Sequence, residues 1–346
     1  MVIHKKYMQR CLHLAKNGIG TARPNPSVGA VIVCGGKIIG EGFTSEYGEN
    51  HAEVNAINAV EDKTLLKEAT MYVTLEPCSH FGKTPPCADL IVRNQIQNVV
   101  IGCVDSNSLV AGKGIERLQN AGCTVTVGVL EEACRAHHKR FFTVQDSKRP
   151  FIILKWAETS NGYMAPSVKS TVRPVWISNV YSQQLVHKWR SEEHAILVGT
   201  NTVIADNPKL NVRSWGGRNP TRIVLDRNAR VSLNAHVFDK KIKTIVLTEE
   251  KSKQTSENLV FEELDFTNNV VGQICDVLQK HQIQSVIVEG GLQTLQAFID
   301  AKVWDEARIF IGDNQFMHGV EAPKIQGTFI KEIKIKEDFL KIMRND

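Results

Sequence analysis

Short apolar runs alternate with segments of helical spacing along the whole chain, which restricts it to sheets covered by helices. In the first half, "VGAVIVCGGKIIGEGF" reads as a hairpin turning at Gly35-Gly36, and "HAEVNAINAV" as a helix. "ATMYVTLEP" is a strand ending at Pro77, and "PCADLIVRNQI" is a helix with Pro86 in its first turn. "VVIGCV", "GIERLQNAG" and "CTVTVGV" follow as strand, helix closed at Gly122, and strand. "EEACRAHHKRFFTVQDSKRP" then leads away as a helix and polar linker, with Pro150 at the boundary. A second series begins at "FIILKWA" and continues through "HAILVG", "TRIVLD", "KTIVLT", "SVIVEG" and "EARIFI". Helices fall between, notably "SNVYSQQLVHKWRSE" and "GGLQTLQAFIDA", while "EEKSKQTSENLVFEELDFTNN" reads as a polar surface excursion. With 346 residues, more than one core usually holds, the expectation is two α/β domains, 1–147 and 148–346.

The composition is that of a globular protein, 42% hydrophobic and 23% charged, with no apolar run near membrane-spanning length. The opening "MVIHKKYMQRCLHLAKNG" reads as an amphipathic helix without an apolar signal core, so the expected location is cytoplasmic. The net charge of +5 is spread without a Lys/Arg block, which fits an anionic small substrate and argues against a nucleic-acid partner. Helix-faced α/β domains of this sort often pair, so a homo-oligomer, dimer or tetramer, is expected.

The chemistry concentrates in "TLEPCSHFGKTPPCADL". Cys78 and Cys87 both follow a proline, and upstream His51 and Glu53 open a helix. One imidazole and two thiolates suit Zn²⁺ with its fourth tetrahedral position open to water. Zinc lowers the pKa of such a water, and Glu53 at the helix start can move its proton to a leaving amine. His-x-Glu followed by Pro-Cys and a second Cys is the pattern of zinc deaminases acting on nitrogen rings. Two blander readings stand beside it: a Cys78–Cys87 disulfide, and a structural zinc with His80 as fourth ligand. Lys83 in the loop is a point charge suited to phosphate, or a solvated lysine. Asn25, between two prolines, can read the edge of a pyrimidine, or close an Asx-turn. In the second half, "VIVEGG" before a helix offers backbone N–H groups for a phosphate, or simply a glycine turn.

"RPNPSVGAVIV", "HAEVNAI" and "TLEPCSHFGKTPPC" together resemble the bifunctional deaminase–reductase family of riboflavin biosynthesis. "RPFIILKWAETSNGYMA", "AILVGTNTVIADNPKLNVR" and "VIVEGGLQTL" resemble its reductase half. The resemblance implies a cytidine-deaminase-like three-layer domain followed by a dihydrofolate-reductase-like α/β domain. It implies deamination of a phosphorylated ribosylaminopyrimidinone to a uracil, then NADPH-dependent reduction of the ribosyl group to ribityl. It places His51, Cys78 and Cys87 on zinc, Glu53 on the proton, and Asn25 and Lys83 on the substrate. In the second half it places Lys155, Trp176, Arg190, Asn207, Leu210, Arg213 and Glu289 near the phosphorylated substrate. It places Ala157, Ser178, Gly199, Thr200, Thr202, Asp206, Gly290 and Gly291 near NADPH.

The chain departs from the family pattern at Thr44, usually histidine, and at Asp105-Ser106-Asn107-Ser108, usually Asp-Pro-Asn-Pro. It also departs at Asn161 and Asn207, usually aspartates, and at Ser178-Asn179, usually Thr-Gly. These changes give a second reading: a deaminase joined to a degenerate, non-catalytic reductase-like domain. A deaminase of nucleic-acid bases would instead show a basic groove and a Cys-x-x-Cys loop, and the chain has neither.

Overall fold

The structure is a computed structural model that describes residues 2–79, 85–106, 111–168, 175–250 and 255–345. It divides into two compact units, Met1–Lys148 and Arg149–Asp346. Among the described residues, no helix is long and apolar enough to cross a membrane.

The first unit runs α1 (Val2–Ala15), β1 (Gly29–Cys34), β2 (Lys37–Phe43), α2 (Ala52–Ala59), β3 (Thr70–Leu75) and α3 (Cys87–Arg93). It continues with β4 (Asn98–Cys103), α4 (Lys113–Asn120), β5 (Thr124–Val127), α5 (Glu131–His137) and α6 (Lys139–Ser147). Its sheet has the order β2-β1-β3-β4-β5. The hairpin β1–β2 turns at Gly35 and Gly36, both at positive φ (+55° and +76°), as a two-residue turn matching strand twist requires. The strands β1, β3 and β4 read as nearly unbroken apolar runs because both faces are covered. A Cβ on Gly29 would lie 2.0 Å from the Cys11 carbonyl of α1. One on Gly42, paired with Ala30, would lie 2.4 Å from the Ala52 carbonyl of α2. Gly29 and Ala30 point to opposite faces of β1, so α1 and α2 sandwich the sheet in three layers. Gly42 thus lets the start of α2 lie directly on β2.

The second unit runs β6 (Phe151–Thr159), β7 (Tyr163–Pro166), α7 (Val180–Glu192), β8 (Ala195–Gly199), α8 (Thr200–Asp206), β9 (Thr221–Leu225) and β10 (Thr244–Thr248). Then come β11 (Leu259–Glu263), α9 (Val270–Lys280), β12 (Ser285–Gly290), α10 (Leu292–Asp300), β13 (Glu306–Gly312), β14 (Gly319–Glu321), β15 (Thr328–Ile335) and β16 (Asp338–Arg344). The large sheet has the order β11-β10-β9-β8-β12-β6-β13-β16-β15, parallel from β11 to β13 and antiparallel beyond. The α/β expectation holds in both units. Asn179 caps α7 by accepting the N–H groups of Tyr181 and Ser182, so the departure at this position makes a good helix start.

Three local readings need correcting. The excursion at 249–269 contains β11, whose "LVFEE" adds a parallel edge strand because β10 offers it an open edge. Pro86 is the N-cap of α3 and Cys87 its first residue. The stretch read as helix and linker before Pro150 holds two helices, α5 and α6.

Candidate metal centre and dinucleotide cleft

His51 sits at the N-cap of α2 with extended backbone, which swings its side chain off the helix. Cys78 lies just past the end of β3, and Cys87 begins α3. The sheet end and the two helix starts bring one imidazole and two thiols together, with all three ligand atoms within 4.8 Å of one another. His51 Nδ1 is 3.3 Å from Cys87 Sγ and 3.6 Å from Cys78 Sγ. The Cys87 backbone N–H donates to Cys78 Sγ at 3.3 Å. Both cysteines are free thiols, so the disulfide reading fails. His80 and Lys83 lie outside the described residues, as do Asn107 and Ser108.

The hydrogen bond from Cys87 and the neighbouring His51 hold the Cys78 thiol below its ordinary range. The partner thiol pays the reverse: the hydrogen bond to Cys78, with burial, pushes Cys87 up. The Cys78 contact lifts the His51 imidazole to about 9 against the effect of burial. A metal held here would take the place of these protons, leaving both sulfurs as thiolates and His51 as a neutral ligand. An imidazole nitrogen with two sulfurs is a donor set that fits zinc with one position open.

Glu53, on the first turn of α2, is 4% exposed. Burial pushes its carboxyl up to about 7, with His51 pulling the other way. A carboxyl so placed exchanges its proton near neutral pH. Asn25 lies half-buried after a cis Arg23–Pro24 peptide bond, in the loop leading to β1. That loop is held by Thr44, whose Oγ1 accepts the Val28 N–H at 2.9 Å. The residue replacing the family histidine is therefore committed to closing the loop. Among the described residues, the buried hydroxyl of Ser106 has no hydrogen-bond partner.

In the second unit a cleft of about 970 Å³ opens at the carboxyl ends of β6, β8, β9 and β12. Here the strand order reverses, the point where open α/β sheets bind ligands. Of the expected residues, Lys155, Ala157, Trp176, Ser178, Gly199, Thr200, Thr202, Asp206, Glu289 and Gly291 all line it. Gly290 lies beneath, where a Cβ would press on Thr202 at 2.9 Å, and Gly291 takes a positive φ of +77° to start α10. The size and the two glycine turns fit an extended dinucleotide.

Glu289 gathers the cations. Arg190 Nη2 donates to Glu289 Oε2 at 2.6 Å, and Nε to Oε1 at 3.3 Å. Burial pushes the Glu289 carboxyl up, but Arg190 and Lys155 outweigh it and hold it below the usual range. Burial also lowers the Lys155 ammonium. Burial, with Arg190 beside it, lowers Arg213. Three cations around one carboxylate leave a surplus suited to an anion.

Two expected residues face elsewhere. Asn207 takes a left-handed backbone (φ +40°), and its Oδ1 accepts the His236 N–H at 2.8 Å. Leu210 packs its side chain in the core with Val203 and Val231, so any ligand contact there is through its backbone. Asn161, the other family aspartate position, donates Nδ2 to the Phe316 carbonyl at 2.8 Å.

Sequence reasoning missed several residues. Arg227 and Arg230 line the cleft beyond β9. His187 is buried beside Arg190 and Arg213, and its Nδ1 has no hydrogen-bond partner among the described residues. Glu76 accepts four backbone N–H groups. Only the spacing of His187 one turn before Arg190 gave a signal.

Residues 1–103 match the family model described as the cytidine and deoxycytidylate deaminase zinc-binding region, and residues 150–314 match the RibD C-terminal domain. The chain is 41% identical to riboflavin biosynthesis protein RibD of Aquifex aeolicus, over 99% of this chain and 94% of that protein. To RibD of Escherichia coli it is 36% identical, over 93% and 88%. A solved deaminase/reductase of Thermotoga maritima superposes with a TM-score of 0.91 at 36% identity, over 99% of both chains. Acinetobacter baumannii RibD superposes with 0.89 at 30% identity, again over 99% of both. The chain therefore belongs to the RibD family of riboflavin biosynthesis proteins, bifunctional enzymes that join a zinc-binding deaminase domain to a reductase domain.

Proposed function

We propose that the first unit, as the deaminase domain, hydrolyses the ring amino group of a diaminohydroxyphosphoribosylaminopyrimidine, releasing ammonia. The second, as the reductase domain, then reduces the ribosyl group of the resulting 5-amino-6-(5-phosphoribosylamino)uracil to ribityl. Both are the activities borne by the Thermotoga relative. The observation that carries the reading is the meeting of His51, Cys78 and Cys87 ligand atoms within 4.8 Å beside a buried carboxyl.

In this reading His51 Nδ1 and the sulfurs of Cys78 and Cys87 hold zinc. Bound there, zinc supplies the Lewis acidity that makes a water nucleophilic near neutral pH. Glu53, buried beside the ligands, would carry a proton from the attacking water to the departing amine. The amide of Asn25 reads the edge of the pyrimidine. Lys83 adds a charge for the phosphate.

In the cleft, NADPH supplies the hydride. Ala157, Ser178, Gly199, Thr200, Thr202, Asp206, Gly290 and Gly291 would seat the cofactor. Lys155, Arg190 and Arg213 hold the phosphate of the open-chain substrate, and Glu289 fixes the cations in place. Trp176 borders the substrate in the cleft, while Asn207 and Leu210, whose side chains face His236 and the core, meet it only through their backbone. An inert second half finds no support, because the cleft is intact and the amides of Asn161 and Asn207 are engaged in local backbone contacts. The expected setting is the cytoplasm, where reduced thiols and NADPH are available, and the expected assembly is a homo-oligomer.

The test is mass-spectrometric product analysis of zinc-replete protein with the diaminopyrimidine substrate and NADPH. The deaminated ribityl product is expected. Product that stops at the deaminated ribosyl compound refutes the reductase role; unchanged substrate refutes the deaminase role, and the reductase is then read from the deaminated ribosyl compound supplied directly.

A further inference from the structure

We infer that Glu76 is a positioning residue of the deaminase, holding the Cys78 end of β3 where the metal needs it; the inference rests on the zinc reading above. Cys78 follows Pro77, which has no N–H and cannot be tied down through its own amide. The chain is fixed one residue earlier instead. Glu76 is 4% exposed, and its N–H donates to the Cys103 carbonyl at 3.0 Å.

The side chain does more. Glu76 Oε1 accepts the N–H groups of Gly114 and Ile115 at 2.9 and 3.2 Å. Its Oε2 accepts those of Asp105 and Gly112 at 3.2 and 3.0 Å. A carboxylate at the start of α4 takes up donors that the helix cannot satisfy itself. It thereby ties that helix to the residues just before Cys78.

Two further contacts on α4 converge on the same joint. A Cβ on Gly114 would lie 2.1 Å from the Pro77 carbonyl, so only glycine lets the helix approach so closely. One turn on, Arg117 donates Nη1 to the Ser79 carbonyl at 3.3 Å and Nη2 to Asp89 Oδ2 at 2.8 Å. One helix thus touches the chain immediately before and after Cys78, and also two residues beyond Cys87. Its grip sets the separation of the two sulfurs, and Glu76 is the buried member of that grip.

The experiment is zinc affinity of the full-length chain, measured by chelator competition. Wild type, Glu76→Gln, Arg117→Ala and the core control Val31→Ala are compared, each with its thermal midpoint when metal-free. Glutamine keeps the shape but turns an NH₂ towards two N–H donors. The zinc dissociation constant of Glu76→Gln is expected to rise at least about tenfold, as for other residues that orient metal ligands. Arg117→Ala, which removes a half-exposed side chain and leaves the core intact, is expected to show a smaller rise. Val31→Ala is expected to lower the midpoint and leave zinc affinity as it was. Unchanged affinity in Glu76→Gln overturns the proposal, whatever Arg117→Ala does. So does an equal loss in Glu76→Gln and Val31→Ala, because Glu76 then acts only on stability. Failure of the wild type to take up one zinc overturns the metal reading itself, a separate outcome.

Discussion

Arg190 and Glu289 form a two-pronged ion pair at the cleft of the second unit, with side chains 12% and 8% exposed. The pair joins α7 to the end of β12 and leaves Lys155 and Arg213 as surplus cations. Removing one partner from a pair this buried costs ~3–5 kcal/mol of stability. Arg190→Ala is therefore expected to lower the thermal midpoint as well as raise KM for the phosphorylated substrate. Arg213→Ala, which removes an exposed side chain that donates Nη1 to Asn211 Oδ1 at 3.3 Å, should raise KM with little change in midpoint. Steady-state reductase kinetics with the phosphorylated and dephosphorylated substrate separate the cases. Equal effects on both substrates would remove these arginines from the phosphate.

Glu53→Gln should retain zinc and lose deamination by roughly 10²–10⁴-fold. Cys78→Ser should lose both zinc and deamination. In each variant, reduction of the deaminated intermediate supplied from outside should continue at the wild-type rate. Zinc content by atomic emission and the two product assays check this, and normal deamination by Glu53→Gln would end the proposed proton transfer.

Asn161 supplies a donor that the family's aspartate lacks. Its Nδ2 donates to the Phe316 carbonyl at 2.8 Å, while Oδ1 accepts from Thr159 Oγ1 at 2.7 Å. Asn161→Asp would set a carboxylate oxygen against that carbonyl, at a cost of ~1–2 kcal/mol. For a unit of this size the thermal midpoint should fall by ~3–6 °C. Calorimetry resolves it, and a midpoint at or above that of the wild type would show that the amide is not needed.

Acid should weaken the first unit through His137 and His138. Burial lowers His137 to about 4 and holds His138 well below its ordinary value. His137 Nε2 contacts the Ser27 carbonyl at 2.8 Å, and His138 Nε2 contacts Thr74 Oγ1 at 3.1 Å. At these two histidines the unfolded chain binds more protons than the folded one, so the stability they contribute is lost as pH falls from about 6.5 towards 4. His138→Gln should flatten that slope. Thermal midpoints of metal-free protein across the window measure it; an unchanged slope would assign the acid sensitivity to other groups.

The sequence by itself determined the α/β class of both halves and the metal-binding pattern. The reason is local: burial on both faces makes strands read as apolar runs, and each metal ligand stands beside a proline or helix start. Thus His51, Glu53, Cys78 and Cys87 were legible from spacing alone, and most of the cleft from resemblance. Only the tertiary structure decided what the side chains at the departures do. Thr44 closes the loop before β1, Asn161 donates to the Phe316 carbonyl, and Asn207 accepts from His236. Their partners are distant in the chain or depend on a backbone turn that no pattern encodes. The same holds for β11, short and set in a polar stretch, a strand because β10 presents an edge for it to pair with. It holds most for Glu76, an ordinary acid before a proline until α4 returns its N–H groups to the carboxylate.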